Sequence, residues 1–261
     1  MMRGLFTAAT GMEAQQVNID TIANNLANAN TTAFKRSRAN FHDLLYQTLR
    51  APGQSSTSGS VVPGGIQIGA GAKTSSVDKM FAQGAVRITD RPLDMMVEGD
   101  GYFQVERNDG TMAYTRDGHF STDNAGRLVT ADGFPVVPEI VVPANVRADQ
   151  VNIGMDGVVS VKLGQETQEI GRIELATFVN PVGLRSEGRN LYTPTLASGD
   201  PIVATANQDG MGAIAQGQLE ASNVNIVEEM VNMITGQRAY EINSKVIQTG
   251  DQMLQTTTNI R

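Results

Sequence analysis

The chain has no cysteine and no tryptophan, and only two of its 261 residues are histidine. The missing cysteine excludes a disulfide framework and thiolate chemistry, although it does not fix the compartment. Long apolar runs are also missing. None approaches the roughly 20 residues that a membrane-crossing helix requires. The N-terminal stretch carries one arginine, Arg3, but no apolar segment of about 7–15 residues, so no cleaved Sec-type signal is expected. The protein is expected either to stay in the cytoplasm or to leave by a route that uses no cleaved signal. A net charge of −7 argues against nucleic acid or an anionic membrane as main partner. The sparse aromatics and abundant glycine, asparagine, glutamine and threonine suit turn-rich β structure and polar helix faces better than a dense enzyme core.

Catalytic patterns are lacking too. His42 and His119 lie in unrelated segments, and neither is tied to a nucleophile as a triad requires. No helical His-x-x-x-His pair offers a metal site. The run Gly69-Ala70-Gly71-Ala72-Lys73-Thr74 fails as a phosphate loop because Ala72 stands where glycine must precede the lysine. Gly99-Asp100-Gly101 leads into a strand rather than a helix, so it is read as a tight bend and not a dinucleotide fingerprint. Asp94, Glu98 and Asp100 are read as solvated loop carboxylates. No catalytic residue, metal, cofactor or small-molecule substrate is expected.

What is present is periodicity at both ends. Leu5, Met12, Ile19 and Leu26 fall seven apart at the front. Ile226, Met233, Tyr240, Ile247 and Leu254 do so at the back. A seven-residue apolar repeat marks a helix that packs along another helix. The stripes are thin, their companion line at the front being Ala8, Gln15, Ile22 and Ala29, so each helix alone is marginal in water. The spacing leaves open whether the two ends form a hairpin within one chain or pack between subunits. The first helix is predicted to begin near Thr7 or Thr10, where Thr10 with Glu13 makes a capping box, and to end around residues 28–32. A short second helix is predicted over 38–49. Asn225, followed by Glu228 and Glu229, predicts the start of the last helix, running to about residue 256.

Residues 51–71, rich in serine, glycine and proline, read as an extended arm or a linker. From 86 to about 205 the signals are for strands. Phe103-Gln104-Val105-Glu106 alternates apolar with polar, and Asp-Gly pairs at 109–110, 117–118, 132–133 and 156–157 predict hairpin turns with positive φ at both residues. Pro135, Pro138 and Pro143 keep 136–142 off a sheet centre. The fold class is α+β: terminal helices over 1–50 and 215–261 forming a coiled-coil domain, an arm over 51–85, and an all-β domain over 86–214.

The segment Ile22-Ala23-Asn24-Asn25-Leu26-Ala27-Asn28, continuing to Phe34-Lys35-Arg36, resembles the N-terminal motif of bacterial flagellar rod and hook proteins. The segment from Glu228 through Gln237, Arg238, Tyr240 and Asn243 is similar to that family's C-terminal motif. Gly99-Asp100-Gly101-Tyr102-Phe103, Tyr114-Thr115-Arg116-Asp117-Gly118 and Leu128-Val129-Thr130 resemble its β domain. The likeness covers almost the whole chain. Ala33 departs from it, standing where the family usually has glycine, and Gly236 and Gly250 lie inside the last helix, where each costs about 1 kcal/mol relative to alanine.

The resemblance implies a structural polymer subunit, most similar to the distal-rod branch, with the proximal rod or a short hook subunit as the alternative. It implies packing of the end helices through Leu5, Met12, Ile19, Ile22, Leu26, Ile226, Met233, Tyr240, Ile247 and Leu254. Its motif positions are Asn24, Asn25, Asn28, Phe34, Lys35, Gln237, Arg238 and Asn243. Implied partners are further copies of the chain, proximal rod subunits below, hook subunits above, the peptidoglycan and outer-membrane ring proteins, and the flagellar type III export apparatus. The helices would form the inner layer of a hollow tube and the β domain its outer layer. A different reading, a β-domain binding module or hydrolase with a helical dimerisation hairpin, would require a convergent polar pocket.

Overall fold

The heptad-spaced ends fold as long helices and the turn-rich middle as strands, so the fold is α+β. The computed structural model describes residues 2–53, 64–143, 146–163, 166–208 and 210–259, and these hold two α-helices and twenty strands. They divide into two units. The first is Met1–Ala27, Ser37–Lys79 and Asn225–Arg261, and the second is Asn28–Arg36 and Met80–Val224.

In the first unit, helix α1 (Met2–Ala27) packs against helix α2 (Ile226–Asn259). Helix α1 starts well before the predicted capping box. The Thr10 hydroxyl lies inside the helix and donates to Thr7 O at 2.9 Å, just as Thr7 donates to Arg3 O at 3.0 Å. Helix α2 starts where the sequence indicates. Asn225 Oδ1 accepts from the backbone N–H of Val227 at 3.1 Å and of Glu228 at 3.4 Å, satisfying two first-turn donors.

Residues 38–49, expected as a helix, are strands instead: β1 (Ser37–Asp43) and β2 (Tyr46–Arg50). Their partners come from the span read as an arm, β3 (Ile66–Gly69) and β4 (Ala72–Lys79). Strand β1 pairs antiparallel with β4, and β2 with β3. Weak local helix propensity loses to these long-range ladders. Asn40, a poor helix residue, donates across the ladder to Ser76 Oγ at 3.1 Å. The serine-rich core of the expected arm, 54–63, lies outside the described residues.

The second unit opens with β5 (Val86–Ile88), β6 (Met95–Glu98), β7 (Tyr102–Glu106), β8 (Met112–Thr115), β9 (Phe120–Thr122), β10 (Leu128–Thr130) and β11 (Val136–Val137). It continues through β12 (Val151–Ile153), β13 (Val158–Leu163), β14 (Glu166–Arg172), β15 (Glu174–Thr177) and β16 (Arg185–Gly188). It closes with β17 (Leu191–Thr193), β18 (Ile202–Thr205), β19 (Ala213–Gln216) and β20 (Gln218–Glu220). The main sheet runs β16-β17-β8-β7-β15-β18, with the two-residue β11 also on β7. Strand β7 is buried on both faces. Phe103 and Val105 enter one apolar cluster, where Phe103 meets Phe120 edge-on at 5.1 Å, and Tyr102 enters a second with Tyr114, Phe178 and Tyr192.

The Asp-Gly turns differ from the expectation in detail. At 109–110, 132–133 and 156–157 only the glycine has positive φ, at 77°, 85° and 81°. At the first of these, Gly110 N donates to Arg107 O and Arg107 N to Thr111 O, so a single left-handed glycine closes the hairpin. Gly118 closes no such turn. A Cβ there would overlap Met95 O, so glycine lets two backbones touch.

Candidate assembly surface

In the first unit, the apolar stripes sit only partly where the heptads place them. On α1, Ile22 is buried and Leu5, Met12, Ile19 and Leu26 are half-buried. On α2, Met233, Ile247 and Leu254 are half-buried, but Ile226 and Tyr240 are exposed at 42% and 41%. The line that α2 turns toward α1 is three residues on: Glu229, Gly236, Asn243 and Gly250, again seven apart. Glu229, Gly236 and Gly250 are buried. A Cβ on Gly236 would stand 3.3 Å from Ile19 Cγ1, one on Gly250 2.5 Å from Leu5 Cδ2, and one on Gly11 3.0 Å from Asn243 Nδ2. The glycines that weaken α2 as an isolated helix therefore let the two helices approach closely. The opposite side of α2 carries exposed apolar residues, Val227, Met230, Val231, Ile234 and Ile242 at 50–71%, on a face interrupted by the exposed Arg238 and Lys245.

The paired asparagines of the N-terminal motif have different fates. Asn24 is exposed, whereas Asn25 is buried. The Asn25 amide grips the backbone of Ser37 at both ends, donating to its carbonyl and accepting from its N–H at 2.8 Å each, as a neighbouring strand would. It also donates to Glu229 Oε2 at 3.1 Å. Asn28 lies just past α1, where its Oδ1 accepts from the Thr31 hydroxyl. At the C-terminal motif, Gln237 and Arg238 are exposed and Asn243 is half-buried.

Phe34 and Lys35, expected with the terminal helices, belong to the second unit. Ala33 takes φ 55° and its N–H donates to Glu220 O at 2.8 Å. A left-handed residue is what glycine supplies without steric cost, and alanine there costs about 1–2 kcal/mol. Lys35 Nζ, 1% exposed, donates to Glu220 Oε1 at 2.6 Å and to Ala82 O at 2.9 Å. Burial lowers the pKa of Lys35, and the Glu220 carboxylate opposes that shift.

One β-domain motif reaches the same carboxylate through Arg116, which also holds the Gly99 carbonyl of another. Arg116 Nη1 stands 3.7 Å from Glu220 Oε2, Nη2 donates to Gly99 O at 2.7 Å, and the guanidinium lies 5.3 Å from the Tyr102 ring centre. Gly99 and Gly101 have φ of 103° and 141°, which only glycine adopts easily. Burial raises the pKa of Tyr102 and pushes Tyr192 up to about 12, with Glu220 adding to both. Asp117, raised by burial, accepts from Asn190 Nδ2 at 3.1 Å. Sequence reading missed Glu220 and took Glu229 only as a first-turn acid of α2; the partners that give each its buried role lie far away in the chain.

Two terminal helices packed in one unit, with a β unit inserted between them in the sequence, define the class of protein. Three family models match along its length. Residues 5–35 match the Flagella basal body rod protein model, 96–161 the Flagellar hook protein FlgE/F/G D1 domain, and 215–260 the Flagellar basal body rod FlgEFG protein C-terminal. The chain is 50% identical to the flagellar basal-body rod protein FlgG of Buchnera aphidicola subsp. Schizaphis graminum, over 98% of each chain. It is 49% identical to that of Caulobacter vibrioides over the whole of both chains. It is 48% identical to that of Borreliella burgdorferi, over 100% of this chain and 99% of that one. The chain belongs to the flagellar basal-body rod and hook protein family. It is a structural rod subunit of the flagellar basal body.

Proposed function

We propose that this subunit polymerises head to tail with copies of itself into the distal part of the rod, a rigid hollow drive shaft that carries motor torque to the hook. The observation that carries the reading is the open apolar face of α2. A surface lined by Val227, Met230, Val231, Ile234 and Ile242 is costly in water and suits contact with further helices. Heterologous contacts that do not close on themselves yield a filament. The β2–β3 ribbon adds a second such surface. Tyr46, Leu49, Ile66 and Ile68 are exposed on a two-stranded element that is marginal alone, and in the rod it braces neighbouring subunits.

In this reading proximal rod subunits lie below and hook subunits above. Ring proteins of the peptidoglycan and outer membrane surround the shaft, and the flagellar type III apparatus exports the subunit without a cleaved signal. The role is mechanical, with no turnover and no cofactor. The α1 stripe from Leu5 to Leu26 packs within the subunit, while Ile226 and Tyr240 of the α2 stripe, exposed here, are offered to neighbouring subunits. The exposed motif residues Gln237 and Arg238 are offered to neighbouring subunits.

The test introduces Val231→Lys and Ile242→Lys in the cell and examines isolated basal bodies by electron microscopy. Rods that stop short, from subunits with unchanged monomer melting, support the proposal. Full-length rods with normal motility overturn it.

A further inference from the structure

The two ends of the α1–α2 pair differ. The helices run antiparallel, with Leu5 beside Gly250, Ile19 beside Gly236 and Asn25 bonded to Glu229. At the Leu5 end, α1 and the β2–β3 ribbon flank a groove of about 370 Å³ whose lining includes Arg3, Phe6, Thr7, Gln47 and Ile68. Phe6 and Ile68 are large apolar side chains left exposed there. Of the described residues that line the groove, Arg3 alone is charged.

At the Glu229 end, α2 presents Val227, Met230, Val231 and Ile234 to solvent. Their spacing of i, i+3, i+4 and i+7 makes one ridge, the pattern by which an amphipathic helix anchors in an apolar groove. The exposed Glu228 flanks this ridge, and the exposed Arg238 ends it a turn later. Ridge and groove cannot meet within one chain. About 20 residues of α2 separate Val231 from Gly250, roughly 30 Å along the helix axis. The groove therefore takes its occupant from outside. The ridge suits it, being apolar with an acid at its side where the groove is apolar with a cation at its rim, and such complementarity steers encounter and fixes register. Two unlike patches at opposite ends of the pair join heterologously, so copies stack without closing.

We propose that the groove of Arg3, Phe6 and Ile68 receives the 227–234 ridge of the next copy of the chain, with that copy's Glu228 set against Arg3. The inference rests on the rod reading above and names which surface of one subunit meets which surface of its neighbour.

The experiment exchanges charges in the cell: Arg3→Glu, Glu228→Arg and the two together, each checked for monomer melting and scored by electron microscopy of isolated basal bodies. Either single exchange sets like charges together and should cut the number of full-length rods at least about tenfold, and the double exchange should restore them. Full-length rods in both singles, or no recovery in the double, overturn the pairing. Should an exchanged chain not fold, cysteine placement decides. The described chain has no cysteine of its own. Phe6→Cys combined with Val231→Cys, oxidised in isolated basal bodies, should give a ladder of covalent multimers that neither change gives alone. Full-length rods with no ladder overturn the groove assignment and leave the rod reading standing, whereas basal bodies that lack the chain altogether overturn both.

Discussion

Asn25 and Glu229, 204 residues apart in the chain, meet in a buried hydrogen bond of 3.1 Å that ties the end of α1 to the first turn of α2. The same amide holds both backbone groups of Ser37. One motif residue therefore registers three segments of the first unit. Asn25→Ala should cost about 2–4 kcal/mol, since it strips partners from the Ser37 backbone and a donor from Glu229. Asn25→Asp should cost more, because it buries a second carboxylate beside Glu229. Urea melts of the two variants, followed by circular dichroism, check the order.

Gly236 and Gly250 separate helix propensity from packing. Propensity alone gives Gly→Ala about 1 kcal/mol at either site. Ile19 Cγ1 at 3.3 Å from a Gly236 Cβ has to yield only slightly, so Gly236→Ala should raise the stability of the helical unit. Gly250→Leu should lower it by about 1–3 kcal/mol, because Leu5 already occupies that space at 2.5 Å from the Cβ position. Helix content against temperature would reverse the argument if Gly250→Leu proved the more stable variant.

Ala33 makes a backbone prediction. At φ 55°, Ala33→Gly removes the left-handed strain, a gain reduced by the lost buried methyl and the added chain entropy, so the net change should stay within about 1 kcal/mol. Ala33→Val puts a β-branched side chain where it is a genuine outlier and should cost at least about 2 kcal/mol. A Val variant that melts with the wild type would refute the assigned conformation.

Tyr192 sets an alkaline limit. Its folded pKa of about 12 lies above the ordinary 10.0, so the neutral ring favours the folded state. Its stabilising contribution is intact below pH 10 and is lost as the unfolded chain ionises, by about 1.4 kcal/mol per pH unit up to about pH 12. Tyr102 acts in the same sense. Lys35, whose folded pKa is lowered, acts in the opposite sense below its ordinary 10.5, so the tyrosine loss is cleanest above that value. Stability against pH should fall less steeply in Tyr192→Phe, and an unchanged slope would show that the ring is not protected.

The sequence carried the parts whose causes are local. Seven-residue spacing and the Asn225 cap marked α2, and the Asp-Gly pairs marked three hairpins, because a helix turn or a β-turn is decided within a few residues. Where a longer-range partner competes, local reading failed. Thr10 resembles a cap, yet α1 continues back to Met2 and buries Ala8 and Ala14. Residues 38–49 resemble a helix, yet β3 and β4 offer ladders that outweigh weak propensity.

The sequence by itself determined the family, the helical ends and the strand-rich middle, because composition, period and motif survive without coordinates. Tertiary structure alone decided which line of α2 faces α1. Glycine and asparagine permit close approach there, which hydrophobicity does not reveal. It also decided that Lys35 serves the β unit. Its partner Glu220 lies 185 residues away, and only the folded chain brings that carboxylate, Arg116 and the strained Ala33 to one place.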